Sequence, residues 1–246
     1  NKCVACANCI SVCPMGAIYI DPKINRATIN DEACVECGTC YRGMSQEHLY
    51  PPMVRTVRKI AKMARFRFEP EPDVCPTAAF SMNELSWPRI ARQVFSDPVV
   101  EHKSTGISGR GTEEVKTNDV EKRVEVGEVG YVIEFGRPGV GVYFRDIQVM
   151  TMALAELDVV FEARNPITHL MTDKQRGILQ EDILNEKILS AIVETKTSLD
   201  KVVAVLDTVW KTAKKIDTVM VVGVFTRCSE DGEDLTLAPL LREHGY

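Results

Sequence analysis

The run Asn-Lys-Cys-Val-Ala-Cys-Ala-Asn-Cys-Ile-Ser-Val-Cys-Pro opens this chain and constrains it most, because Cys3, Cys6, Cys9 and Cys13 follow the spacing C-x2-C-x2-C-x3-C-P. Three thiolates at three-residue steps on a tight loop suit three corners of a 4Fe-4S cube, while the cysteine before proline reaches a different cluster. A second set is therefore required. Cys34, Cys37 and Cys40 repeat the three-residue step, and Cys75, also followed by proline, is the remaining partner. The crossover predicts Cys3, Cys6, Cys9 and Cys75 around one cluster and Cys34, Cys37, Cys40 and Cys13 around the other, giving two 4Fe-4S clusters as cofactors. Two zinc sites are the competing chemistry, since C-x2-C pairs also serve tetrahedral zinc, but triple cysteine steps with Cys-Pro fit zinc poorly. A disulfide framework fits less well still, because such close spacing would strain the loops.

These residues resemble the bacterial two-cluster ferredoxins, over about residues 1–80. Met15-Gly16-Ala17-Ile18 follows the first Cys-Pro and Thr77-Ala78-Ala79-Phe80 follows Cys75-Pro76, and the two segments resemble the pseudo-twofold halves of that fold. The chain departs from the family where Met44 stands in place of a cysteine, so residues 41–74 form an insertion before Cys75. The family also opens with a short strand, so residues upstream of Asn1 are expected.

The expected fold class is α+β. A dicluster ferredoxin domain spans 1–80, a linker or arm 81–127, and a ferredoxin-like or ACT-like βαββαβ sandwich 128–246. A chain of 246 residues with 45% hydrophobic residues can bury a real core, and its cysteine-dense first third argues for two domains. A net charge of −5 argues against general nucleic-acid binding. No apolar run approaches the roughly 18 residues that cross a bilayer, and no leader opens the chain, so a cytoplasmic protein outside the membrane is expected. Oxygen-sensitive clusters suggest an anaerobic setting.

Residues 17–22 and 26–30 alternate as two short strands around a turn, with Tyr19 either shielding a cluster or serving as ordinary core. In the insertion, Arg55, Arg58, Lys59, Lys62, Arg65 and Arg67 lie in a stretch without acidic residues between Glu47 and Glu69. Val54, Val57, Ala61 and Ala64 share one helical stripe, while Arg55, Arg58, Lys59 and Lys62 share another. The pattern predicts a basic amphipathic helix that either steers an acidic partner or anionic substrate, or forms a solvated face. Residues 87–95 read as a short helix with Trp87, Ile90 and Val94 on one side. The glycine-rich stretch Lys103 to Thr112 could offer backbone N–H groups to an anion, or could serve as a linker or docking arm.

From Val129 the periodicity sharpens. Strands are predicted at 129–135, 158–161, 188–194 and 219–225, with helices over 145–157 and, capped by Ser198, from Leu199 to Ala213. The order is βαββαβ, an antiparallel sheet with two helices on one face. Phe135-Gly136-Arg137-Pro138-Gly139-Val140-Gly141 at the first turn resembles the Pro-Gly turn of ACT-type regulatory domains, a resemblance covering about residues 128–226. It implies either N–H groups meeting a carboxylate at the helix start or a subunit interface, the latter giving homo- or hetero-oligomers. The lengthened turn at Gly141-Val142-Tyr143 and the long connection 165–187 depart from that pattern. Cys228 sits beside Ser229, Glu230 and Asp231, acidic neighbours that would not activate it, so it reads as structural or incidental. His48, His102, His169 and His244 are scattered, and Asp231-Gly232-Glu233-Asp234 lacks the alternating ligands of a calcium loop.

No catalytic residue, nucleophile with a base, or flavin motif stands out. The expectation is electron transfer through two clusters, as a subunit passing electrons to a redox partner or catalytic subunit of a larger oxidoreductase. The stretches Trp87-Pro88-Arg89, Ser104-Thr105-Gly106 and Gly127-Glu128-Val129-Gly130 also resemble ferredoxin-fused proteins grouped with 6-hydroxynicotinate reductase. That resemblance implies reduction of an unsaturated ring with catalysis on another subunit. The alternative is a redox-sensing or accessory protein whose ACT-like domain binds a small carboxylate or drives assembly.

Overall fold

A computed structural model describes residues 2–43, 49–66, 75–113, 119–234 and 236–246. Met44, Glu47, His48, Arg67 and Glu69 lie outside the described residues. The chain divides into two compact units, residues 1–86 and 87–246. Among the described residues, no helix is long and apolar enough to cross a membrane.

The first unit is made of short elements. Helix α1 (Asn8–Val12) leads to an antiparallel hairpin of β1 (Ile18–Asp21) and β2 (Arg26–Ile29), with Ile18 opposite Ile29. Then come α2 (Thr39–Arg42) and the insertion helix α3 (Pro51–Met63). Tyr19 is 47% exposed and its neighbour Ile18 is buried, so the strand presents Ile18 inward and leaves Tyr19 away from the thiols.

The predicted basic helix forms as α3, but it is rotated from the orientation its apolar stripe suggested. Val54 is buried and Arg55, Arg58 and Ala61 are half-buried, whereas Met53, Val57, Ile60, Met63, Lys59, Lys62 and Arg65 are exposed. The physical reason is hydrogen bonding: Arg55 and Arg58 turn inward to donate to the Cys3 and Val4 carbonyls. A tight cysteine loop cannot pair those carbonyls within regular structure, and half-buried acceptors need partners.

The second unit begins with α4 (Ile90–Val94), shorter than the segment 87–95 expected to be helical. Ala91, Arg92 and Phe95, rather than Trp87, are buried, and Trp87 stays 45% exposed while donating its indole N–H to Asp182. Next are β3 (Glu128–Phe135), β4 (Val142–Tyr143), α5 (Phe144–Ala155) and β5 (Val160–Phe161). A connection follows with α6 (Pro166–His169), β6 (Met171–Asp173), β7 (Ile178–Leu179) and β8 (Lys187–Ile188). The unit closes with β9 (Ala191–Ser198), α7 (Val202–Ala213), β10 (Met220–Thr226) and α8 (Leu237–Glu243).

The main sheet has the order β10-β3-β9-β5, antiparallel throughout, so the βαββαβ order expected from periodicity is present. The third predicted strand is split: β8 pairs with β4, while β9 joins the main sheet. Between them, Leu189 N donates to Ser96 Oγ, which turns the chain from one sheet to the other. Ser198 makes no side-chain cap; a 3-10 turn, Leu199–Lys201, leads into α7, and Leu199 N donates to Gly127 O instead.

Strand β3 is buried on both faces. Val129, Tyr131, Ile133 and Phe135 enter the core with Ile147, Met150 and Leu154 of α5 and Val202, Val205 and Val209 of α7. The other face pairs Val132 with Glu194 and Glu134 with Ile192 across β3 and β9, and all four residues are buried. The glycine-rich stretch supplies some of the partners of these carboxylates: Arg110 reaches Glu134 at 2.8 Å, as does Arg137, and Glu194 accepts from Thr112 and, at 3.0 Å, from Asn165. Its packing is close, since a Cβ at Gly111 would fall 2.5 Å from the His102 ring, and Gly111 holds φ +75. The carboxylates this stretch meets are thus the protein's own.

Candidate metal centre

The two cysteine loops are built alike. Ala5 (φ 54) and Glu36 (φ 56) each lie two residues after the first cysteine of a triplet, and Ala7 (φ 71) and Gly38 (φ 68) lie two residues further on, at the helix N-caps. Gly16 (φ 62) and Ala78 (φ 46) repeat the match three residues after Cys13 and Cys75. Left-handed backbone at non-glycine positions carries about 1–3 kcal/mol of strain each. Interleaving it with ordinary backbone turns successive N–H groups toward one concavity.

Those N–H groups meet sulfur. Ala17 N donates to Cys13 Sγ at 3.2 Å and Ala79 N to Cys75 Sγ at 3.3 Å, each from four residues further along. Cys3 Sγ accepts from Ala5 N at 3.4 Å and Ala27 N at 3.3 Å, and Thr39 Oγ1 lies 3.3 Å from Cys37 Sγ.

The structure brings the eight cysteines together in two fours. Cys3, Cys6, Cys9 and Cys75 line a cavity of about 280 Å³ with Val4, Ala27, Ile29 and Phe80. Cys13, Cys34, Cys37 and Cys40 line a second, of about 120 Å³, with Ala17, Ile18, Asp31 and Glu36. Ile29, Phe80, Ser81 and Asn83 border both cavities, which are therefore neighbours. Phe80 was legible in sequence as half of a repeat, but its position between the sites was not. Cys228 is exposed and lines neither cavity.

Electrostatics follow the same partition. Burial pushes the Cys9 thiol up to about 12, with further upward contributions from Cys6, Cys3 and Cys75. Burial likewise raises Cys40 to about 11, assisted by Cys37, Cys34 and Cys13. Four thiolates crowded into a half-buried space repel one another, so each set suits a positively charged inorganic core that displaces the thiol protons. Among the described residues, no three His, Cys, Asp or Glu side chains are gathered to hold a single metal ion. The thiols of each four stand around the walls of a cavity, a space that a polynuclear group would fill.

Residues 1–43 match the family model of the 4Fe-4S dicluster domain. The N-terminal unit carries two 4Fe-4S clusters. Over 42 residues, 16% of this chain, the sequence is 38% identical to the polyferredoxin-like subunit of an aliphatic sulfonate oxidoreductase from Pyrococcus furiosus. The match covers 24% of that relative, so the shared region spans about a quarter of its length. No solved structure matches the chain.

In the second unit, several of the backbone groups that stood out in sequence have partners within the protein. At the start of α5, Phe144 N donates to Glu186 O and Arg145 N to Leu184 O, so these N–H groups already have protein partners. Gly139 (φ +87) shapes the Pro-Gly turn, and Val140 N and Gly141 N both donate to Arg137 O. His102 is buried against Phe95 with its Nε2 3.1 Å from Gly109 O, a packing role.

Proposed function

We propose that this chain is an electron-transfer subunit of a larger oxidoreductase, with Cys3, Cys6, Cys9 and Cys75 holding one cluster and Cys34, Cys37, Cys40 and Cys13 the other. The observation that carries the reading is the sorting of eight cysteines into two fours around two adjoining cavities. When bound, each cluster supplies a one-electron couple. The chain's own residues fix the thiols, donate N–H groups to their sulfurs, and place Ile29 and Phe80 between the sites, where they exclude water from the space an electron crosses. Hydrogen bonds to the sulfurs favour the reduced, more negative state of such centres.

The polyferredoxin-like subunit that the N-terminal region resembles supports a subunit role. In this reading catalysis belongs to another subunit, in keeping with the likeness to 6-hydroxynicotinate reductase-type proteins, and the complex works in an anaerobic cytoplasm. The second unit, an ACT-like domain in this proposal, serves assembly; two of its helix-start N–H groups, those of Phe144 and Arg145, are satisfied internally, which favours assembly over capture of a carboxylate.

The test is anaerobic purification with iron and sulfide analysis, beside EPR of the dithionite-reduced protein and a Cys75→Ala variant. About eight irons per chain and two magnetically interacting reduced centres are expected, falling to about four irons in the variant. Zinc, or an iron content untouched by loss of Cys75, overturns the ligand assignment.

A further inference from the structure

The two cysteine sites match in backbone but not in charge. Around Cys3, Cys6 and Cys9, three guanidinium groups converge on two successive carbonyls: Arg26 and Arg55 donate to Cys3 O, the latter at 3.1 Å, and Arg58 donates to Val4 O. No carboxylate is among the described residues lining that cavity. Around Cys34, Cys37 and Cys40, Arg42 donates to a different loop carbonyl, Cys37 O, and the cavity wall includes Asp31 and Glu36. Two of the three arginines at the first site come from α3, within the insertion that separates Cys40 from Cys75.

Reduction adds one negative charge to a cluster, so nearby cations favour the reduced form and nearby carboxylates oppose it. Local charge and hydrogen bonding are among the levers that set the potential of such clusters. We infer that Arg26, Arg55 and Arg58 make the Cys3-Cys6-Cys9-Cys75 site the electron sink of the pair. This inference rests on the ligand assignment proposed above. An electron delivered by a one-electron donor protein to the Cys34-Cys37-Cys40-Cys13 site passes to the first site. The second site is oxidised, the first is reduced, and no bond forms or breaks. The insertion helix thereby gives the two-site domain a direction that its symmetric backbone lacks. Its arginines act through the loop carbonyls and are positioning residues.

The test is an anaerobic potentiometric titration of the full-length, iron-replete protein followed by EPR. It is run on the unmodified chain, the Arg55→Gln/Arg58→Gln double variant and the second-site variant Arg42→Gln. The unmodified protein should show two separated one-electron steps. The double variant should lower the upper step by about tenfold in the partition of the electron, which is about 59 mV for a one-electron couple, and leave the lower step in place. Arg42→Gln should lower the lower step and widen the gap. Coincident steps in the unmodified protein, an unmoved upper step, or equal movement of both steps in the double variant overturns the inference. Iron analysis of the same samples keeps the two readings apart: a protein that binds no iron sinks the ligand assignment, while a loaded protein with unmoved potentials sinks the clamp alone. If the double variant sheds iron, Arg55→Gln and Arg58→Gln singly carry the test with about a threefold change each, and an unmoved upper step in an iron-replete single variant overturns it.

Discussion

The two units of this chain reach order by different means. Among the described residues, buried apolar side chains of residues 2–86 are few and small: Val4, Ala17, Ile18, Val35, Val54 and Ala78. The large aromatic and aliphatic core, from Ala91 and Phe95 through Tyr131, Phe144 and Met150 to Leu237, lies entirely in residues 87–246. A unit that buries so little apolar surface draws its stability from elsewhere, and the inorganic centres it wraps are the available source, because ligand binding free energy becomes folding free energy. Folded chain can thus be held by bonds to a cofactor or by exclusion of water.

Stripping the clusters tests that contrast most severely. Treating the protein with an iron chelator under mild acid should abolish slow amide exchange across the described residues of the first unit, while β3 and β9 of the second unit stay protected. Equal loss of protection in both units would show that the second depends on the clusters too. A smaller and opposite effect is expected from Phe144→Ala, since Phe144 is fully buried and meets Phe95 edge-on with ring centroids 5.3 Å apart. That cavity should destabilise the second unit by about 3–5 kcal/mol in denaturant unfolding and leave the iron content unchanged.

The mildest effect is set by pH. Burial holds the His102 imidazole below its ordinary value, and the hydrogen bond to Gly109 O only partly offsets this. The folded state therefore keeps His102 neutral, and its contribution is intact above the unfolded histidine's range. It is lost as pH falls through that range, about 6.5, toward the lower folded value. Thermal unfolding of the second unit should weaken on acidification, and His102→Phe should flatten that slope; an unchanged slope would remove His102 as its source.

The grouping of cysteines around two cavities was legible because their spacing is a local property: two triplets and two Cys-Pro pairs are read directly from the chain, and matching left-handed residues stand behind them. The order of strands and helices from Val129 was legible because hydrophobic period reports burial. The facing of α3 was not, since the periodicity of Val54, Val57, Ala61 and Ala64 carries no record of the loop carbonyls that drew Arg55 and Arg58 inward. The packing of the glycine-rich stretch was hidden for a related reason. Its partners Glu134 and Glu194 sit in strands read from their apolar residues, and only the fold shows that these carboxylates are buried beneath Arg110 and Thr112. Tyr19 was misplaced by one step of a strand, which suffices to put a side chain on the other face.

The position of Cys75 has a consequence in time. With the ligand sets proposed here, every thiol of the Cys34-Cys37-Cys40-Cys13 site has been synthesised once the ribosome has passed residue 40, but its neighbour lacks its last ligand until the whole insertion has followed. A nascent chain therefore owns one complete set of thiols and one incomplete set while residues 41–74 are made, and the arginines of α3 are added within that interval. By the time Cys75 arrives to complete the remaining set, the side chains that mark it as different from the complete one are already in the chain.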